Sequence, residues 1–411
     1  MQSKRKIAEF ATIKHGYAFE GRYFSEMEGE HILLTPGNFH IDQKLYFGKN
    51  TKYYQGPIPT DYVLQNGDLL VVMTDLTKNM AILGNAVILE SQKAVLHNQR
   101  IGLVTIQDDQ IDKQYLCYIL NSDLVRNTIK SSASGTTVRH TSPSKILDAK
   151  AWFPELPTQK KIAQILSTWD KAITTTEQLL VNSQQQKKAL MQQLLTGKKR
   201  LLDENGVRFS GEWQVLPLGQ LTNIFDGTHS TPKYVEDGVP FYSVEHLTAN
   251  DFSKTKFISE EVFDKENKRV KLERGDILMT RIGDIGTAKH LDWDVRASFY
   301  VSLALVKASE SFDSEYMTQY INSNIFRSEL WKRTIHVAFP KKINLGEISN
   351  CLVAIPSLEE QQKISAVLST ADQEITALQQ KLDALQQEKK ALMQQLLTGK
   401  RRVNTAEKEI A

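Results

Sequence analysis

Apolar residues recur every three or four positions over two long stretches of this chain. The stretches lie at 162–194 and 364–396, and Gln, Lys, Glu and Ala fill most of the positions between the apolar ones. A spacing that averages about 3.5 residues keeps one apolar seam on the same side of a helix, which is typical of a coiled coil. The pattern therefore predicts two long helices. Their seam positions are Ile162, Leu166, Trp169, Ile173, Thr176, Leu180, Ser183, Lys187, Leu190 and Leu194, then Ile364, Leu368, Ala371, Ile375, Leu378, Leu382, Leu385, Lys389, Leu392 and Leu396.

The two predicted helices are copies of one element. The peptide KKALMQQLLTGK occurs at Lys187–Lys198 and again at Lys389–Lys400, a shift of 202 residues (389 − 187). The same shift relates further identities upstream, without a gap from Pro154 onward. A repeat at about half the chain length indicates a protein built from two copies of one unit.

Each predicted helix is roughly 40 residues and therefore about 60 Å long. Gly197 and Gly399 end the two helices, because glycine suits the left-handed residue that follows a last turn. We expect the helices to pair with each other as an antiparallel coiled coil. The alternative is that each packs on its own globular region or on another chain. Lys187 and Lys389 interrupt the seams at matching places and either fix the register or extend to solvent.

The repeat also predicts domain boundaries and a fold class. Both globular regions contain short β-rich runs and an amphipathic helix, so we expect an α/β protein with two mixed α/β domains and two long helices. The expected order is a first domain at 1–153, a first helix at 154–200, a connector at 201–212, a second domain at 213–355, a second helix at 356–402 and a frayed tail at 403–411.

The two domains share their scaffold but not their loops. Gly67-Asp68 and Gly275-Asp276 each precede an apolar strand, and similar helices follow at Tyr115 and Tyr316. The intervening loops have little identity. This contrast predicts two domains that perform the same kind of task on two different targets.

Composition limits the classes of function. The net charge of +3 is too small for binding DNA through charge over the whole surface, so a nucleic-acid role must depend on local patches. Cys117 and Cys351 lie in apolar surroundings and are expected to be core residues in a reducing compartment. No apolar run follows the start and no stretch is long enough to cross a membrane, so we expect a cytoplasmic protein.

No catalytic motif emerges from the sequence. The chain has no GxxxxGK[ST] phosphate loop, and Gly283-Asp284-Ile285-Gly286 lacks the lysine that such a loop needs. It also has no HExxH, paired CxxC or GxSxG motif. Aspartates beside glycine are more typical of turns than of metal sites. We expect no catalytic residues, no metal and no cofactor.

These features resemble the specificity subunit of a Type I restriction–modification system, over essentially the whole chain. The most specific elements are the P-x-L-x-x-Q-x-K-I helix starts at Pro154–Ile162 and Pro356–Ile364, together with the two LLTGK helix ends. Loops such as Gly227–Lys233 and Ser134–Thr137 also fit target-recognition domains. The first domain departs from the pattern because it lacks the W-x-x-x-x-L-G opening that Trp213–Gly219 provides in the second.

The resemblance implies a non-catalytic, DNA-binding subunit. Each target-recognition domain would read one half of a split site in double-stranded DNA, and the paired helices would set the spacer. Two adenine-methylating modification subunits would dock on the chain, and two ATP-driven restriction subunits would join for cleavage of unmodified DNA.

Loop residues with forked or paired donors and acceptors are the candidates for DNA contacts. Arg commonly binds guanine, Asn or Gln binds adenine, and Ser or Thr binds either base, whereas Lys and Arg often hold phosphate. We expect Arg281 to read a base, and Thr74 and Thr280 to mark one equivalent loop. For any single residue the alternative is a solvated polar group. The candidates are Lys14, His15, Tyr17, Asn38, His40, Thr74, Lys78, Asn79, Thr136, Thr137, Arg139 and His140 in the first domain, and Thr228, His229, Thr231, Lys233, Tyr234, Ser243, His246, Thr280, Arg281, His336, Lys341 and Lys342 in the second.

Two other functions remain as alternatives. A coiled-coil scaffold with two ligand-binding domains and no DNA target would explain the helices but not the basic, Gly-Thr-rich loops. A stand-alone methyltransferase or nuclease would need a cofactor site that the sequence lacks.

Overall fold

The computed structural model describes residues 4–404, and the contacts divide the chain into two compact units. The first unit joins Met1–Glu177 with Lys381–Ala411, and the second is Gln178–Gln380. Each unit thus contains one globular domain and a part of both long helices. Most of the predicted tail at 403–411 lies outside the described residues. The division into domains, helices and connector along the sequence stays a prediction.

The globular part of the first unit mixes short strands with short helices. Its strands are β1 (Lys4–Lys6), β2 (Ala11–His15), β3 (Phe24–Ser25), β4 (His31–Leu34), β5 (Lys52–Tyr54), β6 (Val63–Leu64), β7 (Leu69–Val72), β8 (Thr74–Asp75), β9 (Ala86–Ile88), β10 (Ala94–His97), β11 (Ile101–Ile106), β12 (Arg139–His140) and β13 (Lys150–Trp152). Its helices are α1 (Lys113–Asn121), α2 (Asp123–Ser131) and α3 (Pro143–Leu147), and the first long helix is α4 (Leu156–Leu194).

Strand β7 joins the two cores of this domain. It lies inside an antiparallel sheet of order β2-β11-β7-β9, and all four of its residues are buried. Leu69 and Val71 pack in one core with Tyr115 of α1, while Leu70 and Val72 pack in a second core against the sheet β3-β5-β4-β10-β6. Successive strand residues point to opposite faces, so an unbroken apolar run is what a strand buried on both faces requires.

The second unit repeats this plan. Its strands are β14 (Gln214–Pro217), β15 (Ile224–Asp226), β16 (Tyr234–Val235), β17 (Val239–Tyr242), β18 (Lys256–Ile258), β19 (Ile277–Thr280), β20 (Ala288–His290), β21 (Ser298–Phe299), β22 (Leu303–Val306) and β23 (Leu352–Ile355). Its helices are α5 (Leu218–Leu221), α6 (Val244–Ala249), α7 (Glu260–Arg269), α8 (Ser314–Asn322), α9 (Asn324–Arg333) and α10 (Leu345–Ser349), and the second long helix is α11 (Leu358–Leu396).

The strand pairings show that the two domains share one topology. The order β15-β22-β19-β20 matches β2-β11-β7-β9, and the parallel pair β17–β21 matches β4–β10. The first domain lacks the tryptophan opening, yet β1 pairs with β13 in the same way as β14 pairs with β23. The predicted α/β class with two mixed domains is therefore confirmed.

The two long helices pair in antiparallel fashion within each unit. In the first unit Leu396 of α11 shares a core with Ile162 and Leu166 of α4, and in the second unit Leu194 of α4 shares a core with Leu368 of α11. Each helix has 39 residues and so measures about 58 Å. The predicted pairing of the two helices is therefore confirmed, and each helix also packs against a globular domain. Among residues 4–404 no helix combines the length and apolar character needed to cross a bilayer.

Both long helices end as predicted. Gly197 and Gly399 have φ of 69° and 70°, and the amide of Lys199 donates to the carbonyl of Gln193 at 3.1 Å. This is the arrangement in which a left-handed glycine lets the chain bond back to the last helical turn.

A glutamine at the start of each helix fastens it to its domain. The Gln159 carboxamide accepts from the amide of Asp112 at 3.0 Å and donates to the carbonyl of Pro154 at 2.7 Å. Gln361 makes the corresponding bonds to Asp313 at 2.9 Å and to the Pro356 carbonyl at 2.9 Å. The repeated Gln of the helix start is therefore a buried clamp.

Candidate nucleic-acid interface

In both domains the chain leaves the edge strand of the central sheet through a glycine that touches the backbone at the end of a strand of the second sheet. A Cβ on Gly16 would lie 2.2 Å from the carbonyl oxygen of Asn98, and one on Gly227 would lie 2.0 Å from that of Phe299. Only glycine fits such an approach. The amide of Thr228 then donates to Phe299 at 2.9 Å, while its hydroxyl is buried with no partner among the described residues. Thr228 therefore belongs to the turn itself.

Lys14 and Tyr17 of the first domain meet at Tyr62. The Lys14 Nζ lies 4.4 Å from the centre of the Tyr62 ring and donates to the carbonyl of Asp61 at 3.2 Å. The Tyr17 ring lies 5.3 Å from the Tyr62 ring. His15, the last residue of β2, is exposed next to Lys14. A cation and two rings together can hold phosphate and stack on a base. The sequence analysis missed Tyr62, which ends a single 3-10 turn at Thr60–Tyr62 that has no distinguishing sequence pattern.

The pairing of β8 with β12, together with the turn before β12, brings together five further first-domain candidates. Thr74 of β8 pairs with His140 of β12, and its Oγ1 lies 3.0 Å from the Nδ1 of His140. Thr74 is buried, Arg139 is half-buried, and Thr136, Thr137 and His140 are exposed around the turn. The turn at 134–140 thus offers hydroxyls, an imidazole and a guanidinium on one loop.

The loop that carries Lys78 and Asn79 is held by Asp75. Its carboxylate accepts from the amides of Thr77 at 2.6 Å, Ile82 at 2.7 Å and Leu83 at 2.8 Å. Lys78 and Asn79 stay exposed at the surface of this loop. Asp75, the last residue of β8, was missed by the sequence analysis, although an aspartate at the start of a loop often accepts hydrogen bonds from that loop's amides.

Asn38 and His40 use their side chains inside their own loop. Asn38 is buried, accepts from the Thr35 amide at 2.9 Å and donates to the Tyr46 carbonyl at 3.2 Å. His40 is exposed, and its Nδ1 lies 2.6 Å from a carboxylate oxygen of Asp42.

In the second domain two arginines and a histidine surround Asp226. The Asp226 carboxylate lies 2.9 Å from the Nε2 of His229, 3.3 Å from Arg269 and 3.5 Å from Arg281. His229 and Arg269 are exposed, whereas Arg281 is 8% exposed. Asp226 and Arg269 were missed by the sequence analysis.

The Arg281 and Thr280 side chains make hydrogen bonds within the domain. Arg281 donates from Nε to the Ile343 carbonyl at 3.1 Å and from Nη1 to the Val301 carbonyl at 2.9 Å. Burial lowers the pKa of the guanidinium, and Asp226 opposes that shift. Thr280 donates to Asp284 at 2.8 Å and accepts from the amide of Thr287 at 3.0 Å. Both side chains brace loops, and their assignment to DNA stays a prediction.

Thr231 and Tyr234 lie in an aromatic cluster, whereas Ser243 and His246 cap a helix. The Thr231 hydroxyl is 3.2 Å from that of Tyr300, and Lys256 lies 4.8 Å from the centre of the Tyr234 ring. His246 is buried, and its Nδ1 accepts from the Ser243 amide at 2.9 Å. Lys233 is exposed on the same loop as Thr231.

The last candidates of the second domain lie on a hairpin-like loop. The structure exposes His336, Lys341 and Lys342. The His336 Nε2 lies 2.9 Å from the Trp331 carbonyl, and the Lys341 Nζ lies 5.1 Å from the centre of the Trp331 ring. The Lys342 carbonyl accepts from the Ile335 amide at 2.8 Å, which closes the loop.

The prediction that Thr74 and Thr280 are equivalent is wrong. Thr280 pairs with Leu303 on the neighbouring strand, in the place where Val72 pairs with Ile101. Thr74 lies two residues beyond Val72, so its counterpart is Ile282. A similar distance from the Gly-Asp turn suggested the equivalence, whereas strand pairing fixes the register.

The candidates therefore fall into exposed groups and internal ones. Asn38, Thr74, Thr228, His246, Thr280 and Arg281 are buried, and the remaining candidates are exposed or half-buried. Within the part of the chain that the structure describes, no three His, Cys, Asp or Glu side chains are arranged to hold a metal ion. The exposed candidates are polar or basic side chains on loops, a chemistry that suits contacts with phosphates and base edges.

Comparisons with known proteins agree with this picture. The family described as Type I restriction modification DNA specificity domain matches twice, at residues 3–182 and 210–387. Among curated relatives, the EcoBI specificity subunit of a Type I restriction enzyme from Escherichia coli is 26% identical over 86% of this chain and 76% of its own length. The MjaVIII specificity subunit from Methanocaldococcus jannaschii is 27% identical over 88% of both chains.

A solved structure shares the fold. The crystal structure of the S subunit of a Type I restriction–modification system from M. genitalium aligns with a TM-score of 0.62 over 97% of this chain and 96% of that chain. Its sequence identity is 16%, so the likeness shows the fold alone.

Proposed function

The chain belongs to the Type I restriction modification DNA specificity family, and we propose that it is the subunit that selects the DNA sequence for a Type I restriction–modification complex. Each target-recognition domain, near 1–153 and 213–355, would read one part of a split site in double-stranded DNA. The chain itself would carry no catalysis and would act in the cytoplasm.

One observation carries this proposal: the same scaffold presents different loops in the two domains. Sheet order and the glycine crossings at Gly16 and Gly227 coincide. The loops above them differ in chemistry, with Lys14 and Tyr62 in one domain and Asp226, His229 and Arg269 in the other. Recognition of two different half-sites needs the same framework with different loop side chains. The framework positions the contacts, and the contacts to bases specify the sequence.

The long helices would supply the spacer and the docking surface. Two modification subunits would bind the chain and methylate adenine, and ATP-driven restriction subunits would join for cleavage of unmodified DNA. The name of each curated relative, a specificity subunit of a Type I restriction enzyme, supports a multi-subunit assembly.

The test is co-expression with a Type I modification subunit, followed by mapping of methylated adenines over a genome. We expect one split motif with a fixed spacer. A chimera in which 213–355 is replaced by the corresponding domain of a relative should change one half-site and leave the other unchanged. The same modification subunit with its own specificity subunit is the control. Absence of methylation beside an active control, or a chimera that changes both halves, would contradict the proposal and favour a scaffold without a DNA target.

A further inference from the structure

The loop at residues 335–342, called here the 335–342 loop, carries an apolar tip that the protein does not cover. Val337 and Phe339 are 97% and 104% exposed, as much as an isolated side chain would be. Single exposed apolar residues are common, but two on one projecting tip need a partner to become buried.

The stem of this loop is held firmly. The Ile335 amide donates to the Lys342 carbonyl at 2.8 Å, and the Gly283 amide donates to the Lys341 carbonyl at 2.8 Å. The Ile343 amide donates to the Arg281 carbonyl at 3.0 Å. Backbone bonds on both sides therefore attach the stem to the end of the central sheet, so the tip projects from a rigid base.

The charge around the tip is of one sign. From Trp331 to Ile343 the chain has four Lys or Arg residues and no Asp or Glu. Lys332 and Arg333 bond to Glu329, whereas Lys341 and Lys342 form no salt bridge with any of residues 4–404. Lys341 instead lies 5.1 Å from the centre of the half-exposed Trp331 ring. Unpaired lysines beside an exposed apolar tip are complementary to nucleic acid, which combines phosphates with flat, apolar base faces.

The first domain has the counterpart of this loop without the apolar tip. Ser134 and His140 close it through two backbone bonds of 2.9 Å, and Thr141 bonds to Met73 as Ile343 bonds to Arg281. Its exposed residues Gly135, Thr136 and Thr137 are small or polar, and the apolar Val138 beside them is half-buried. The apolar tip is therefore a feature of one domain and not of the shared scaffold.

We propose that Phe339 inserts as a wedge between two stacked base pairs of the half-site bound by the second domain, with Val337 beside it and Lys341 and Lys342 on the flanking phosphates. Apolar side chains that enter a groove in this way unstack one base step and bend the duplex, and basic neighbours hold the backbone. The proposal rests on the proposed DNA-binding function and adds to it a residue that selects deformable steps, such as pyrimidine–purine steps.

The test uses the complex of full-length chain and modification subunit on its mapped site. Phe339→Ala is compared with Phe339→Leu, which keeps an apolar wedge, and with Val207→Ala, an exposed apolar truncation in the connector. A 2-aminopurine is moved step by step through the half-site. The wild-type complex should raise its fluorescence at one step, Phe339→Leu should keep part of that signal, and Phe339→Ala should lose it. Affinity should fall about tenfold or more for Phe339→Ala, the scale of one lost stacking contact, and remain unchanged for Val207→Ala.

A duplex with one base removed at that step gives a second readout. Removing the base removes part of the cost of unstacking, so the wild type should bind it more tightly while Phe339→Ala gains nothing. Unchanged fluorescence and affinity in Phe339→Ala, with methylation still at the mapped motif, would overturn the wedge and leave the proposed function standing. Loss of the modification subunit from the Phe339→Ala complex, with DNA binding intact, would make the tip a protein contact. A wild-type complex that methylates no motif would overturn both proposals.

Discussion

The Nζ of Lys187 lies 2.6 Å from a carboxylate oxygen of Asp372, and the two residues come from different copies of the repeat. The counterpart of each residue makes the reciprocal bond, since Lys389 lies 2.5 Å from Asp170. The polar interruptions in the two seams are therefore a matched pair of interhelical ion pairs. A polar partner at one seam position can fix the register of a coiled coil, because any slip leaves the charges unpaired.

We expect Lys389→Met to lower the free energy of unfolding more than Lys390→Met. Lys389 is mostly buried and its loss leaves Asp170 with the Tyr118 hydroxyl, 2.5 Å away, as its remaining partner. The expected cost is roughly 1 kcal/mol, discounted for the partial exposure of Asp170. Lys390 is the matched control because it is exposed on the next position of the helix. Urea unfolding measures the free energy of unfolding of both variants. Equal midpoints would contradict a structural role, and a double-mutant cycle with Asp170→Asn would isolate the pair itself.

We expect Gln159→Ala to destabilise the first unit by roughly 2 kcal/mol or more. The substitution leaves the Asp112 amide and the Pro154 carbonyl without this partner in a partly buried place, and a fully buried unsatisfied group costs about 1–3 kcal/mol. Gln361→Ala should have a similar effect on the second unit because its bonds match. Gln164→Ala, on the exposed side of the same helix, is the control. Hydrogen exchange of α1 after Gln159→Ala, and of α8 after Gln361→Ala, would locate the loss. An unchanged exchange rate of that helix would contradict the role of the glutamine.

We expect Arg281→Ala to weaken binding of matched and mismatched DNA alike and to lower the melting temperature. Two of its donors are already used by the Ile343 and Val301 carbonyls, so its removal loosens the loops that face a ligand. Lys342→Ala offers a contrast, because an exposed phosphate contact should lower the salt dependence of binding by about one charge without changing the melting temperature. A loss of binding by Arg281→Ala on the matched site alone would instead support direct base reading.

The sequence predicted the scaffold well because the scaffold leaves periodic signals. The seams, the glycine helix ends and the apolar run of β7 each follow from a repeating pattern. The loops leave no such signal. Nothing in the local sequence distinguishes the buried Thr74, which contacts His140, from the exposed Thr136. The position of the Arg281 side chain depends on carbonyls that lie 20 and 62 residues away in the sequence. Which polar side chain is free to bind is decided by long-range packing.

We expect both cysteine thiols to resist labelling in the native protein. Burial raises the pKa of Cys117 and of Cys351 to about 12, from an ordinary value of 9.0. At pH 8 the thiolate, which is the reactive form, is then roughly 0.01% of each residue. Labelling by a disulfide reagent should be slow at pH 8 and become fast for both thiols in denaturant. Rapid reaction of one thiol in the native state would show that its core opens locally.

We expect the helix length to control the spacer between the two half-sites. A heptad inserted between Glu177 and Gln178, with a second between Gln380 and Lys381, preserves the seam because seven residues restore its phase. It lengthens each helix by about 10 Å, which corresponds to about three base pairs of duplex. The methylated motif should keep both half-sites and gain about that much spacer. Seven residues inserted after Asn205 in the exposed connector should leave the spacer unchanged, since that segment lies outside both helices. An unchanged spacer in the double insertion, with both half-sites still methylated, would mean that something other than the helix pair measures the distance.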